Sequence, residues 1–255
     1  TKAVSLEPRA GNAAPRVTEM PGAMLNSVGL ANPGLDAVRR HDLPWLAAHH
    51  PGLRVIVNVV GHTAADFAAV VRGLAAEPGI TAFELNVSCP NVERGGLEFG
   101  ADEGVLADLV RRSRGETDRP LVVKLSPALG DPSRIASAAV AAGAAGFTCV
   151  NTLPSPLVES AAPFARRLGR GPGGVSGPLL LPMGVRLTGL VSRATGKPVI
   201  GAGGVRTGRD AARYLAAGAS LVAVGTAALA DPRAPGRIER ELARLHDPEP
   251  TAAPA

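Results

Sequence analysis

From residue 53 onward, short runs of β-branched and other apolar residues alternate with longer Ala-rich stretches. The short runs fall at 54–60, 81–87, 121–125, 146–151, 198–201 and 220–225, and their length and composition predict strands. The stretches at 63–76, 102–114, 132–142, 179–195, 207–217 and 237–245 carry helical patterning. Thr63, Asp131 and Thr207 stand at or just before three of these helical stretches, where an oxygen side chain can accept from an unpaired backbone N–H of the first turn. Strands and helices in strict alternation predict an α/β protein built on a parallel sheet, and the class expected is the (β/α)8 TIM barrel. Six βα units are visible and residues 2–6 read as the end of a seventh strand. A closed barrel takes eight, so about one βα unit is expected to be missing from the N-terminal side of this chain, either cut away or absent from the native gene, and the lack of an initiator Met suggests that the true N-terminus lies upstream.

Two connections are longer than a barrel needs. Residues 7–34, rich in Pro, Gly and Asn, read as a long βα loop of the kind that carries function, and residues 152–177 as a mobile lid or a disordered insertion. A single barrel domain is expected over 1–245, followed by a flexible tail at 246–255.

Side chains alternate along a strand, and in a barrel one set fills the interior. Four consecutive interior sets are expected to end in a polar residue: Asn58 on the face of Ile56, Asn86 on that of Glu84, Lys124 on that of Val122 and Asn151 on that of Cys149. They would meet at the C-terminal mouth, where barrel enzymes place their sites. One asparagine at a strand end is ordinarily a hydrogen-bonded structural residue; four in register point to a site. Lys124 carries the most weight, because a buried ammonium costs several kcal/mol unless an anion or strong acceptors compensate it. A reduced flavin, negative around N1 and O2, is one group that would do so. The last two strands end in Gly203-Gly204 and Gly225-Thr226, where a close backbone approach and a hydroxyl suit a phosphate.

Composition narrows the partners. The chain has 255 residues, 45% of them hydrophobic, enough for a full core. Its net charge of +5 could suit nucleic acid, but the arginines are scattered and only 3% of residues are aromatic, which leaves little for base stacking. No run reaches the roughly 18 apolar residues of a membrane span. Two cysteines cannot make a disulfide framework, and a reducing, cytoplasmic setting is expected. Cys89 falls in a loop past a strand, between Ser88 and Pro90, where it could be a thiolate base, a nucleophile or a small hydrophobe. Neighbouring Asn86, Ser88 and Asn91, each able to hold an amide or carboxylate, favour the base, whereas Cys149 inside a strand reads as core. The five histidines lack metal-ligand spacing, so no metal is expected, and His62 after a strand is the one histidine kept as a site candidate.

The ordered segments Thr1-Lys2, Gly11-Asn12, Met24-Leu-Asn-Ser-Val-Gly-Leu30, Glu84-Leu-Asn-Val-Ser-Cys-Pro-Asn91, Val123-Lys-Leu-Ser126, Val150-Asn-Thr152, Gly173-Gly-Val-Ser-Gly177 and Gly201-Ala-Gly-Gly204 together resemble class 1 dihydroorotate dehydrogenases over residues 1–240. Leu43-Pro-Trp45, Val57-Asn-Val-Val-Gly61 and Ala230-Asp-Pro232 resemble the NAD-linked 1B branch more closely. The resemblance implies one FMN per chain and oxidation of dihydroorotate to orotate in UMP biosynthesis, with Cys89 as base. It implies that Lys2, Asn26, Ser27, Val28, Gly29, Leu30, Asn86, Asn91, Asn151 and Thr152 hold substrate. It assigns FMN to Lys2, Ala3, Asn58, Asn86, Lys124, Val150, Gly177, Gly203, Gly204, Gly225 and Thr226. It also implies a homodimer, or a heterotetramer with a partner subunit that carries FAD and an iron-sulfur cluster. Three alternatives stay open: the flavin barrel of a dihydropyrimidine dehydrogenase, which has His in place of Asn91; a truncated barrel that only binds a partner; and a phosphate-binding barrel isomerase.

Overall fold

The computed structural model describes residues 1–88, 98–155, 168 and 173–246. Five of the central strands follow the period-2 runs: β3 Val55–Val59, β4 Ile80–Asn86, β5 Leu121–Leu125, β6 Gly146–Cys149 and β9 Val199–Ala202. A sixth, β10 Leu221–Ala223, ends a parallel sheet of order β10-β9-β6-β5-β4-β3. The expected seventh strand is present in its shortest form. Val4 bridges Val59 in parallel, donating N–H to Asn58 O at 2.8 Å and accepting from Val60 N–H at 3.0 Å. The sheet is curled, as in a TIM-type barrel, with the Val4 segment at one edge and β10 at the other.

Helices α3 Ala64–Leu74, α4 Glu103–Arg114, α5 Pro132–Ala141, α6 Leu181–Thr195 and α7 Gly208–Ala216 follow successive strands, and α8 Thr226–Ala230 and α9 Ala234–His246 close the described chain. The three expected caps form. Thr63 and Thr207 each accept from the backbone of Asp66 and Asp210 while those carboxylates accept in return, and Asp131 accepts from Ser133 and Arg134. Caps of this kind each contribute about 1 kcal/mol. Between sheet and helices lies the main core, in which Phe67, Phe83, Phe99, Leu85, Leu109 and Phe147 are fully buried.

The two long connections have a structure that their composition did not announce. Residues 7–34 contain a hairpin, β1 Val17–Met20 and β2 Ala23–Asn26. The 152–177 connection contributes β7 Leu153–Ser155 and β8 Gly173–Ser176. Together they form a second, antiparallel sheet of order β1-β2-β8-β7, so the described ends of the second connection are strands and not a disordered insertion. Its small core is Leu25, Leu168 and Val175. Residues 35–49, for which the apolar pattern specified no element, form α1 Leu35–Ala37, a π-helical turn Val38–Asp42 and α2 Leu43–His49. Among the described residues no helix is long and apolar enough to cross a membrane.

Candidate functional site

Register brings the polar strand residues together. In the parallel sheet Asn58 lies beside Glu84, Glu84 beside Val122, Asn86 beside Lys124, and Lys124 beside Thr148. Neighbours in register point the same way, so these side chains occupy the interior face toward the C-terminal ends of the strands. Asn58, Asn86 and Thr148 are buried, and the Glu84 side chain is only 13% exposed.

They form one connected network. Asn58 Nδ2 donates to Glu84 Oε1 at 2.6 Å and Thr148 Oγ1 donates to Glu84 Oε2 at 2.5 Å. Lys124 Nζ stands 3.7 Å from Glu84 Oε1. From Asn58 the chain of amides runs outward: Asn86 Nδ2 donates to Asn58 Oδ1 at 3.4 Å, and Asn151 Nδ2 donates to Asn86 Oδ1 at 2.9 Å. Thr152 N–H then donates to Asn151 Oδ1 at 2.9 Å.

Two expectations change here. A reduced flavin was one anion expected to compensate Lys124; the protein adds one of its own, Glu84. That carboxylate was visible in the strand pattern, two residues before Asn86 and in the same phase, and an interior acid opposite an interior lysine was the available signal. The second correction concerns Asn151. Cys149 lies in register with Leu125 and Gly201, on the face turned to the helices, and Thr148 is the interior residue of β6. The strand ends at Cys149, so Asn151 reaches the mouth through the segment beyond it and not by alternation. Cys149 is core as expected: it is fully buried, and burial pushes its thiol up to about 12.

A second group of expected residues gathers at the ends of β6, β9 and β10. Val150 N–H donates to Ala202 O at 2.7 Å, beside the turn of Gly203 and Gly204. Both glycines have positive φ, 115° and 75°, and a Cβ on Gly204 would stand 2.7 Å from the Leu181 nitrogen, so the turn requires glycine. Tyr214, which the sequence pattern did not single out, fixes this turn by donating to the carbonyls of Ala202 and Gly203 at 2.9 and 2.7 Å. Burial raises the pKa of its phenol. At Gly225 the space a Cβ would take is open. Thr226 Oγ1 donates to Ser176 Oγ at 2.9 Å, tying the end of the parallel sheet to the antiparallel one next to Gly177.

The third group is the loop after β2. Asn26 Nδ2 donates to Gly174 O at 3.1 Å, Asn12 Nδ2 donates to both O and Oγ of Ser27, and Asn12 N–H donates to Val28 O. Gly29 and Leu30 both have positive φ, 73° and 57°. For leucine that conformation costs about 1–2 kcal/mol, and Leu30 holds it while packed with Ala3 and Val60. The loop is thereby set beside the N-terminal segment. Lys2 is exposed and lines a cavity with Val4, Val38, Leu43 and Trp45. His62 is exposed and meets Asp66 only through its backbone N–H, which does not support a role for its ring.

Cys89 and Asn91 lie outside the described residues, as does most of 156–172. Ser88, at the start of the cysteine loop, has a buried Oγ with no partner among the described residues. One ammonium, three linked amides, a glycine turn held open and an unpartnered hydroxyl form a donor set that fits a flavin mononucleotide, whose ring is an acceptor and whose tail is an anion. Among the described residues no group of histidine, cysteine or acidic side chains could hold a metal.

The family model for dihydroorotate dehydrogenase matches residues 1–245. The dihydroorotate dehydrogenase B (NAD(+)) catalytic subunit of Cutibacterium acnes is 45% identical over 249 residues, covering 96% of this chain and 80% of that protein. The subunit of the same name from Latilactobacillus sakei is 45% identical over 254 residues, covering 96% and 82%. Among solved structures, DHODH in complex with ferulenol from Eimeria tenella superposes with a TM-score of 0.79 at 22% identity, over 96% of this chain and 73% of that one, a likeness of fold.

Proposed function

This chain belongs to the dihydroorotate dehydrogenase family, and on that premise we propose that it oxidises dihydroorotate to orotate in pyrimidine biosynthesis as an FMN-dependent catalytic chain of the NAD-linked B type. The observation that carries this reading is the joined set Asn58, Asn86, Lys124, Asn151 and Thr152 at the strand ends, which pairs amide donors with an ammonium where an anionic, carbonyl-bearing ring can lie.

FMN, when bound, supplies the two-electron acceptor for the hydride that leaves C6 of the substrate. The residues that would hold it are Asn58, Asn86 and Lys124 at the ring, and Val150, Gly177, Gly203, Gly204, Gly225 and Thr226 toward the phosphate, with Lys2 and Ala3 at the N-terminal edge. Substrate is held by Asn86, Asn91, Asn151 and Thr152 together with Lys2 and the loop Asn26, Ser27, Val28, Gly29 and Leu30. Cys89, as thiolate, would remove the proton from C5 through its Sγ, and the electron pair of that C5–H bond, left on carbon, would become the C5–C6 double bond of orotate as the hydride leaves C6. Cys89 follows Asn86 by three residues and precedes Asn91 by two in the sequence, and a general base must come within hydrogen-bond reach of the proton it takes. Electrons then pass to a partner subunit bearing FAD and an iron-sulfur cluster and on to NAD, in a heterotetramer built on a catalytic homodimer in the cytoplasm.

Anaerobic addition of dihydroorotate to the FMN-loaded chain tests the reading: the oxidised flavin absorbance should bleach and orotate should appear in equal amount. Flavin that stays oxidised with dihydroorotate but bleaches with an uncharged dihydropyrimidine would replace this substrate with the latter class. A chain that takes up no FMN would end the reading altogether.

A further inference from the structure

Glu84 stands at the inner end of the amide series, where it accepts from Asn58, and sets the direction in which the series runs. A carboxylate can only accept hydrogen bonds. With Thr148 Oγ1 donating to one oxygen, Asn58 must turn its nitrogen to the other, and it does so at 2.6 Å. Asn58 Oδ1 is thereby aimed at Asn86, which must donate; Asn86 Oδ1 is aimed at Asn151, which must donate in turn; Asn151 Oδ1 receives the Thr152 N–H. Each amide has one oxygen and two N–H groups. The series uses the oxygen and one N–H of Asn86 and of Asn151, and the hydrogen left over on each is a donor. Lys124, held 3.7 Å from the same carboxylate, adds a further donor of fixed position.

We propose that Glu84 is a positioning residue that sets the direction of the amide series, and with it where the spare N–H groups of Asn86 and Asn151 stand to meet the carboxylate and carbonyl oxygens of a ligand. A neutral amide at this position could donate to Asn58 Oδ1, and the series could then run in reverse, each amide exchanging the places of its oxygen and nitrogen so that its spare N–H no longer stands where it does beside Glu84. This rests on the functional reading above for its probe, orotate, and not for its geometry.

The test is a double-mutant cycle on orotate binding, read by calorimetry and by the orotate-induced shift of the flavin spectrum. Glu84→Gln should weaken orotate binding about tenfold or more, while flavin reduction at saturating dihydroorotate falls much less. Asn151→Ala removes the far end of the series. If orientation is transmitted, Glu84→Gln should cost at most about a third as much affinity in the Asn151→Ala background as in the parent, because there is no longer a donor for it to misdirect. Equal losses in both backgrounds would overturn the proposal, since a merely structural carboxylate acts independently of Asn151. Should Glu84→Gln fail to fold, Asn58→Leu breaks the first link while leaving the carboxylate to Thr148 and Lys124; the same coupling with Asn151→Ala is expected, and additivity there is equally fatal. A parent protein that reduces its flavin with dihydroorotate yet shows no coupling loses only the role of Glu84. One that binds no orotate at all loses both readings.

Discussion

The two sheets of this protein solve pairing in opposite ways. In the parallel sheet the network partners Asn58 and Glu84 are 26 residues apart, one helix-containing crossover along the chain. In the antiparallel sheet Met24 meets Ser176 across 152 residues. The first sheet buries one face against helices and fills its other face with a graded series of side chains, apolar below and polar at the mouth. Among the described residues the second has a small cluster, Leu25, Leu168 and Val175 with Met20, Ala23 and Leu153 packed on it, and it meets the first through the Thr226–Ser176 hydrogen bond and through Leu153, which also packs on the main core. Under the proposed function this becomes a division of labour: the parallel sheet would carry the chemistry, and the antiparallel sheet would help to hold substrate over it.

The strongest way to break that division is at the base. Cys89→Ser should leave FMN bound and lower the rate of flavin reduction by about 10²-fold or more, the range that a positioned general base supplies. Stopped-flow reduction with dihydroorotate measures it. A rate within a few-fold of the parent would place the proton-accepting group elsewhere, and with it the claim that chemistry sits on the loop of β4.

Next in size is a matched pair of core truncations. Leu85→Ala, in the main core, should lower global stability by about 2–5 kcal/mol. Leu25→Ala should barely move the main thermal transition, since its cluster can open locally without the rest. It should instead raise the KM for dihydroorotate, because Leu25 is the neighbour of Asn26, and speed proteolytic cleavage near 17–26. Equal shifts of the transition in the two variants would mean that the sheets unfold as one body and that the comparison is wrong.

A smaller effect is expected at Lys124, because its charge is shared between the protein's own carboxylate and the ligand. Lys124→Ala removes a charged donor from the ring site and leaves Glu84 with only its two neutral donors. FMN affinity should fall about tenfold, read by flavin fluorescence on dilution, with no comparable loss in helix-borne stability. Unchanged affinity would show that Glu84 alone satisfies the lysine.

These sizes track what could be read from the chain. Strands with period 2 and helices with hydroxyl or carboxylate caps were legible because both signals are local: Thr63 finds Asp66 three residues on, and Leu121–Leu125 needs no distant partner to look like a strand. Asn58, Asn86 and Lys124 were legible for the same reason, as polar ends of apolar alternations. The antiparallel sheet was not, since nothing in 17–26 names 173–176 as its partner. Asn151 was placed at the mouth by the wrong argument, because alternation stops where β6 stops. Glu84 was in plain view and assigned no role; an acid two residues below Asn86 makes sense only once Lys124, in register with Asn86 on the next strand, is found 3.7 Å from that carboxylate.

Cys149 gives the finest test of the helix-facing side of the parallel sheet, and it is silent at neutral pH. Its thiol is pushed up to about 12 by burial, against an ordinary value of 9.0. The unfolded chain therefore loses this proton first as pH rises, the folded protein binds the extra proton, and stability must fall between about pH 9 and 12. The slope is about 1.4 kcal/mol per pH unit once above the ordinary value. Urea unfolding at pH 8 and pH 10 should thus show the parent losing about 1 kcal/mol more than Cys149→Ala over the interval, with Tyr214 present in both and cancelling. The same burial predicts that iodoacetamide at pH 8 leaves Cys149 unmodified until the protein is unfolded. If Cys149→Ala and the parent lose stability in parallel, or if Cys149 alkylates in the native state, the helix-facing layer is open to water at β6. The separation between a dry outer layer and a polar interior mouth, on which the placement of the site depends, would then have to be redrawn.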